Sequence, residues 1–237
     1  MLNLDKTATY TGFNRHIFGL VTGKSLKILD IGCGEGELGR ILKHKGNTVY
    51  GIEYEKRGYE LSKKKLDKVL FGDISSLQLP KDWKDFDYVI FADVIEHLYD
   101  PGSVLKKIKP LLKKGGFVLI STPNIANWLI RLRLLLGRFD YKESGVMDKT
   151  HIRFFTLRSL KKLINETGYK IEEIDFIPNI ILSIISLFSC NKGSSSIVSK
   201  ESGAKSLYFK LIYPVEKLIS RINIRFFAYE FVVKIRK

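Results

Sequence analysis

Residues Asp30-Ile31-Gly32-Cys33-Gly34-Glu35-Gly36 alternate glycine with other residues straight after the apolar run Leu26 to Ile31. Glycine there lets a chain leaving a strand turn tightly and approach a ligand with no Cβ in the way. A dinucleotide fingerprint would place its third glycine where Glu37 stands, and the Gly-Lys-Ser/Thr of a P-loop is absent. Glu53 follows about 20 residues after the first loop glycine, where a carboxylate accepts the hydroxyls of a ribose. Asp73, beside Ile74, could accept from an exocyclic adenine amine while apolar neighbours flank the ring. Together these positions describe a nucleoside held at strand tips without a phosphate cradle, as expected for adenosine joined to an amino acid.

A second group comprises Asp93, Glu96 and His97, with His151 further along. If the turn after residue 92 is helical, Asp93, Glu96 and His97 share one face. Imidazole titrates near neutral pH, so His97 could take a proton from an acceptor hydroxyl with Glu96 beside it. The same residues with His151 also suit a divalent metal. The simpler reading leaves the metal out, with Glu96 and His97 bound to backbone and His151 anchoring a loop; on sequence alone no metal is favoured.

The elements that must position these groups follow from periodicity. Strands are expected over Leu26–Ile31, Thr48–Glu53, Lys68–Gly72, Asp87–Ala92, Gly116–Ser121, Lys170–Ile177 and Phe227–Ile235. Helices are expected over Glu37–Lys45, Lys56–Leu66, Pro101–Leu112 and Thr156–Thr167, the last capped by Thr156 and stopped by Gly168. This alternation is that of a mostly parallel sheet covered on both faces. Two segments break it: 124–150, which carries the arginine-dotted apolar run Trp128 to Leu136, and 178–225, which holds the low-complexity run Lys192 to Ser196.

The 237 residues, 45% of them hydrophobic, suit one domain spanning 1–237. Two cysteines, Cys33 and Cys190, exclude a disulfide framework and a four-cysteine zinc site. A net charge of +15 favours polyanions. The start lacks a basic region followed by an apolar one, so a cytoplasmic protein is expected. The stretch Phe176–Cys190 is interrupted by Pro178 and Asn179 and is too short to span a bilayer, although it could lie on one.

On these residues the chain resembles the class I S-adenosylmethionine-dependent methyltransferases. The resemblance implies a three-layer Rossmann-like α/β sandwich, its seven-stranded sheet mostly parallel with an antiparallel last strand. It also implies S-adenosyl-L-methionine as cofactor, S-adenosyl-L-homocysteine as product, and a cofactor site of Asp30, Gly32, Cys33, Gly34, Gly36, Glu53, Tyr54, Asp73, Ile74 and Asp93. Asp93-x-x-Glu96-His97 is similar to the motif of ubiquinone-pathway O-methyltransferases and small-RNA terminal 2′-O-methyltransferases, in which a metal orients the acceptor hydroxyl. Those families place Glu where this chain has Asp93.

Insertions after the fifth strand and before the seventh lie above the strand tips in such a fold, so they would wall the acceptor pocket. The runs 127–141 and 150–156 resemble bacterial and archaeal methyltransferases associated with surface-glycan assembly, which implies a small-molecule, sugar or lipid-linked glycan acceptor. RNA is ranked below these because no nucleic-acid recognition motif accompanies the charge. The apolar, basic segments could rest on an anionic membrane, pack on the sheet or form a homodimer contact. A cofactor-binding module without catalysis is the remaining alternative.

Overall fold

The computed structural model describes residues 14–180 and 211–237. Strands β1 (Lys27–Ile31), β2 (Thr48–Glu53), β3 (Lys68–Phe71), β4 (Phe86–Ala92), β5 (Leu112–Pro123), β6 (Lys170–Pro178) and β7 (Ala228–Arg236) form one sheet in the order β3-β2-β1-β4-β5-β7-β6. Among the described strands only β7 runs antiparallel to its neighbours, inserted between β5 and β6. This is the sheet the sequence predicts.

Central strands read as unbroken apolar runs because alternate residues enter two different cores. Leu29, Ile31, Val89, Phe91, Val118, Ile120, Phe231 and Val233 face one cluster, with residues of α4 (Pro101–Ile108) and α6 (Leu157–Glu166). Ile28, Tyr88, Ile90, Leu119 and Val232 face the other, with residues of α1 (Arg15–Leu20) and α2 (Glu37–His44). Two helical layers therefore enclose the sheet, and each large apolar side chain buried there contributes about 1.5–3 kcal/mol.

Local chemistry sets most boundaries. Thr156 caps α6 in a reciprocal capping box with Ser159, and Gly168 follows its end at φ +72°. Helix α3 (Lys56–Ser62) ends before the expected Leu66, whose side chain instead packs over Gly39 and Gly51. α4 stops at Ile108 and becomes a 3₁₀ turn at Lys109–Leu111, since Pro110 supplies no N–H. β7 starts at Ala228, not Phe227, which closes a short helix. Of the segment 124–150, Trp128–Leu135 forms α5. Of the segment 178–225, the described part holds α7 (Tyr213–Ile222) and α8 (Ile224–Phe227). The run Lys192 to Ser196 and most of Phe176–Cys190 lie outside the described residues.

Candidate active site

Register brings the predicted groups into one row. Ile31 pairs with Ile52 and Phe91, and Glu53 with Phe71, so Gly32, Glu53, Asp73 and Asp93 all stand at the carboxyl ends of neighbouring parallel strands. The N–H groups of Gly32 and Cys33 donate to the Ile52 carbonyl at 2.8 and 3.2 Å, folding the loop back over β2. Gly32 sits at φ +68°, and a Cβ there would lie 2.6 Å from Val94. Gly34, at φ +52°, faces open space, a hollow that a side chain would fill. Its N–H donates to Glu53 Oε2 at 2.7 Å, while Glu55 N–H donates to Oε1 at 2.8 Å, so the buried carboxylate is held against the loop.

The remaining cofactor-side residues divide by environment. Asp30 is buried with Oδ2 unpartnered, and burial, reinforced by the charge of Glu53, raises its pKa to about 7. Cys33 takes part through its backbone alone. Its thiol packs over Gly51 and Leu66, and burial pushes its pKa upward. Asp73 is exposed and spends Oδ1 on the N–H of Ser75. Tyr54 is exposed, whereas Ile74 turns into the core.

After β4 the chain makes a single 3₁₀ turn, Ile95–His97, so the expected shared helical face does not form. Asp93 adopts φ +55°, a conformation uncommon for a residue with a side chain. Ser121 holds it from both ends: Asp93 N–H donates to Ser121 Oγ at 3.0 Å, and that hydroxyl donates to Asp93 Oδ1 at 2.7 Å. Glu230 of β7 reaches the same place, accepting from the side-chain amide of Asn14 and lying close to Asp93 and Ser121. Protein crowds both carboxyls, although Asp93 remains exposed and Glu230 half-buried. Burial raises both pKa values, and the charges of Asp93 and Glu96 add to the effect on Glu230.

Glu96 faces a different way from Asp93. It is 1% exposed, accepts from Thr122 Oγ1 at 3.1 Å, and leaves Oε1 unpartnered. Burial and then the charge of Asp93 raise its pKa to about 8. Its backbone carbonyl accepts from the N–H groups of Ile152 and Arg153 at 3.1 and 2.9 Å, and this tether returns the segment after β5 to the site. His151 consequently packs edge-on to His97, with ring centroids 4.8 Å apart. His97 Nδ1 contacts the Thr150 carbonyl at 3.1 Å, and His151 Nδ1 the Val146 carbonyl at 3.2 Å. A carbonyl can only accept, so each ring carries a proton on Nδ1, and in the neutral ring Nε2 keeps its lone pair. Burial lowers the pKa of His151, which favours this neutral form. One ligand atom from each of Glu96, His97 and His151 lies within 4.8 Å of the others. Among the described residues, Asp93 is not part of that group.

Residues 13–174 match the family model described as "Methyltransferase domain". The chain belongs to the methyltransferase family. A ubiquinone biosynthesis O-methyltransferase of Pelagibacter ubique is 36% identical over 104 residues, 43% of each chain. One from Acinetobacter baylyi is 31% identical over 178 residues, 68% of this chain and 69% of its own. The match with the Pelagibacter protein spans under half of that protein's length, and those with three further relatives of the same name span 62%, 63% and 66% of theirs. Among solved structures, a SAM dependent methyltransferase from Archaeoglobus fulgidus superposes with a TM-score of 0.60 at 20% identity, covering 94% of this chain and 90% of that one, a likeness of fold.

Within this methyltransferase Asp30, Gly32, Gly34 and Glu53 stand together at the ends of β1 and β2, Gly36 packs against Ser62 at the start of α2, and Glu96, His97 and His151 cluster after the neighbouring β4. Sequence reasoning missed Glu230, Asn14 and the pair Ser121-Thr122. The available signal was polar residues ending an apolar strand, together with one acid inside the run Ala228 to Val233.

Proposed function

We propose that this chain transfers the methyl group of S-adenosyl-L-methionine to a hydroxyl oxygen of a small-molecule acceptor seated against His97 and His151. The observation that carries the reading is the convergence of Glu96, His97 and His151 after the tip of β4, next to the glycine loop after β1, with both Nδ1 atoms turned to backbone carbonyls. Phe139, Tyr141 and Phe154 form a tilted and edge-on aromatic cluster next to His151, a surface suited to a planar ring or to the C–H face of a sugar. The printed names of the curated relatives, O-methyltransferases, support oxygen as the acceptor atom.

Asp30, Glu53 and the hollow at Gly34 suit an adenosyl amino acid: carboxylates for its hydroxyl and ammonium groups, and bare backbone for close approach. Methyl transfer from a sulfonium is an in-line displacement, so the protein's main contribution is to hold the acceptor oxygen close and collinear. When bound, S-adenosyl-L-methionine would supply the methyl carbon and leave as S-adenosyl-L-homocysteine, while His97 Nε2 would take the proton of the acceptor hydroxyl. Glu96, His97 and His151 also fit a divalent ion: the buried Glu96 Oε1 lacks a partner, and both imidazoles are held in the ligating tautomer by backbone carbonyls. Bound there, such an ion would lower the pKa of the acceptor hydroxyl.

The test is incubation of the full chain with methyl-labelled cofactor and fractionated small molecules, before and after chelation and after adding back Mg²⁺, Mn²⁺ or Zn²⁺. His97→Ala and His151→Ala should lower kcat/KM about 10²–10⁴-fold while leaving cofactor affinity intact. Label found only in RNA, or in no fraction, would overturn the small-molecule reading. Full activity after chelation would remove the ion but not the transfer.

A further inference from the structure

α7 is built inside out. A surface helix normally buries its apolar stripe and shows polar residues to solvent. Here Glu216 and Ser220 are buried, Glu216 accepting from the N–H of Ile180, and Lys217 reaches inward to Asp175 at 2.8 Å. The outer face carries Val215, Leu218, Ile219 and Ile222 at i, i+3, i+4 and i+7, exposed by 56, 64, 45 and 83%. The end of α5 continues the theme: Leu135 and Leu136 are 84 and 63% exposed. Arg131 lies over the ring of Phe226 at 5.8 Å, joining α5 to the helix after α7. Among the described residues nothing covers this stripe, and apolar exposure of this regularity marks an interaction surface.

We infer that this face docks on an anionic lipid bilayer. Basic side chains predominate around it, with Arg221 and Arg225 on α7 and α8, and Arg131, Arg133 and Arg138 on or beside α5, where Asp140 lines the same hollow as Arg133 and Arg138. Neither α5 nor the outer face of α7 bears an acidic residue. A second copy meeting this face would set arginine against arginine, and a nucleic acid would leave the apolar stripe without a partner. A bilayer interface satisfies both halves, taking the apolar side chains at the acyl boundary and the guanidinium groups among the headgroups. Among the described residues no helix is long and apolar enough to cross a membrane, so the contact is peripheral. The inference stands on the surface alone and does not depend on which acceptor is methylated.

Flotation of the full chain with vesicles tests it. The protein should float with phosphatidylcholine mixed with phosphatidylglycerol and not with phosphatidylcholine alone. Leu218→Asp with Ile222→Asp should lower the bound fraction about tenfold, with an unchanged thermal melt. Arg221→Glu with Arg225→Glu should do the same and weaken the salt dependence. Failure to float with anionic vesicles overturns the inference, as does binding that survives both pairs. A dimer in light scattering that the Leu218/Ile222 pair dissolves assigns the face to a second copy and overturns it equally.

Discussion

A side chain at position 34 would meet nothing within 4 Å, yet its backbone stands at φ +52°. Gly34→Val should therefore strain the loop by about 1–2 kcal/mol and leave a folded chain, while placing a side chain where the proposed cofactor would lie. Calorimetry should find S-adenosyl-L-methionine affinity reduced at least about 100-fold; ordinary affinity would remove the glycine loop from the site. Asp30 makes a different prediction. Its carboxyl titrates near 3.8 when unfolded and at about 7 when folded, so between those values the folded chain holds a proton the unfolded one has lost. Stability of the cofactor-free protein must then fall as pH rises from about 4 to about 7. Glu96 acts in the same direction up to about 8. Asp30→Asn should flatten thermal melts across that window and exceed the parent above it by about 1–3 kcal/mol. The glycines and the acids of the first two strand tips were legible because only glycine accepts the loop's backbone and because a strand end fixes where a carboxylate stands. Glu230 was not, since one acid in an alternating strand reads like any solvent-facing residue until the neighbours of the strand are known.

Elements are joined here by a polar clasp. His16 of α1 binds Asp175 Oδ2 through Nδ1 and the Tyr213 hydroxyl through Nε2, both at 2.7 Å, while Lys217 of α7 reaches Asp175 Oδ1 at 2.8 Å. Burial alone would raise the Asp175 pKa, but hydrogen bonds from His16 and Lys217 outweigh it and hold the carboxyl well below its usual range. A depressed carboxylate stabilises the fold above its unfolded pKa and loses that contribution as pH falls through the acid range. A double-mutant cycle of His16→Ala and Asp175→Ala should give about 0.5–3 kcal/mol of coupling in urea melts at neutral pH. Additive losses would mean that α1 is held by Ile17 and its apolar contacts alone. The clasp was illegible in sequence because its residues lie 159 and 42 apart, and because α1 has six residues, too few to display a period. Longer elements such as α6, with Thr156 before it and Gly168 after it, were legible because caps and apolar spacing agreed.

At the scale of the whole molecule, the alternation of apolar runs and charged helices dictates the parallel half of the sheet. The last strand obeys a different logic: it arrives from the end of the chain and fills a slot between β5 and β6, which are otherwise unpaired with each other. Phe231, Val232, Val233 and Ile235 are wholly buried there and belong to both cores at once, Val232 to the α1–α2 side and the others to the α4–α6 side. At about 1.5–3 kcal/mol for each large apolar side chain, their sum is comparable to the whole stability of a typical domain, about 5–15 kcal/mol. A stop after Phe227 should thus leave no cooperative thermal transition and no cofactor affinity. Phe231→Ala, which keeps the strand's hydrogen bonds, should lose about 3–5 kcal/mol and still melt cooperatively. The contrast between the two separates the contribution of the strand from that of its largest side chain. A truncated chain that melted sharply and still bound cofactor would mean that six strands suffice, and that Glu230 is dispensable to the mouth of the site.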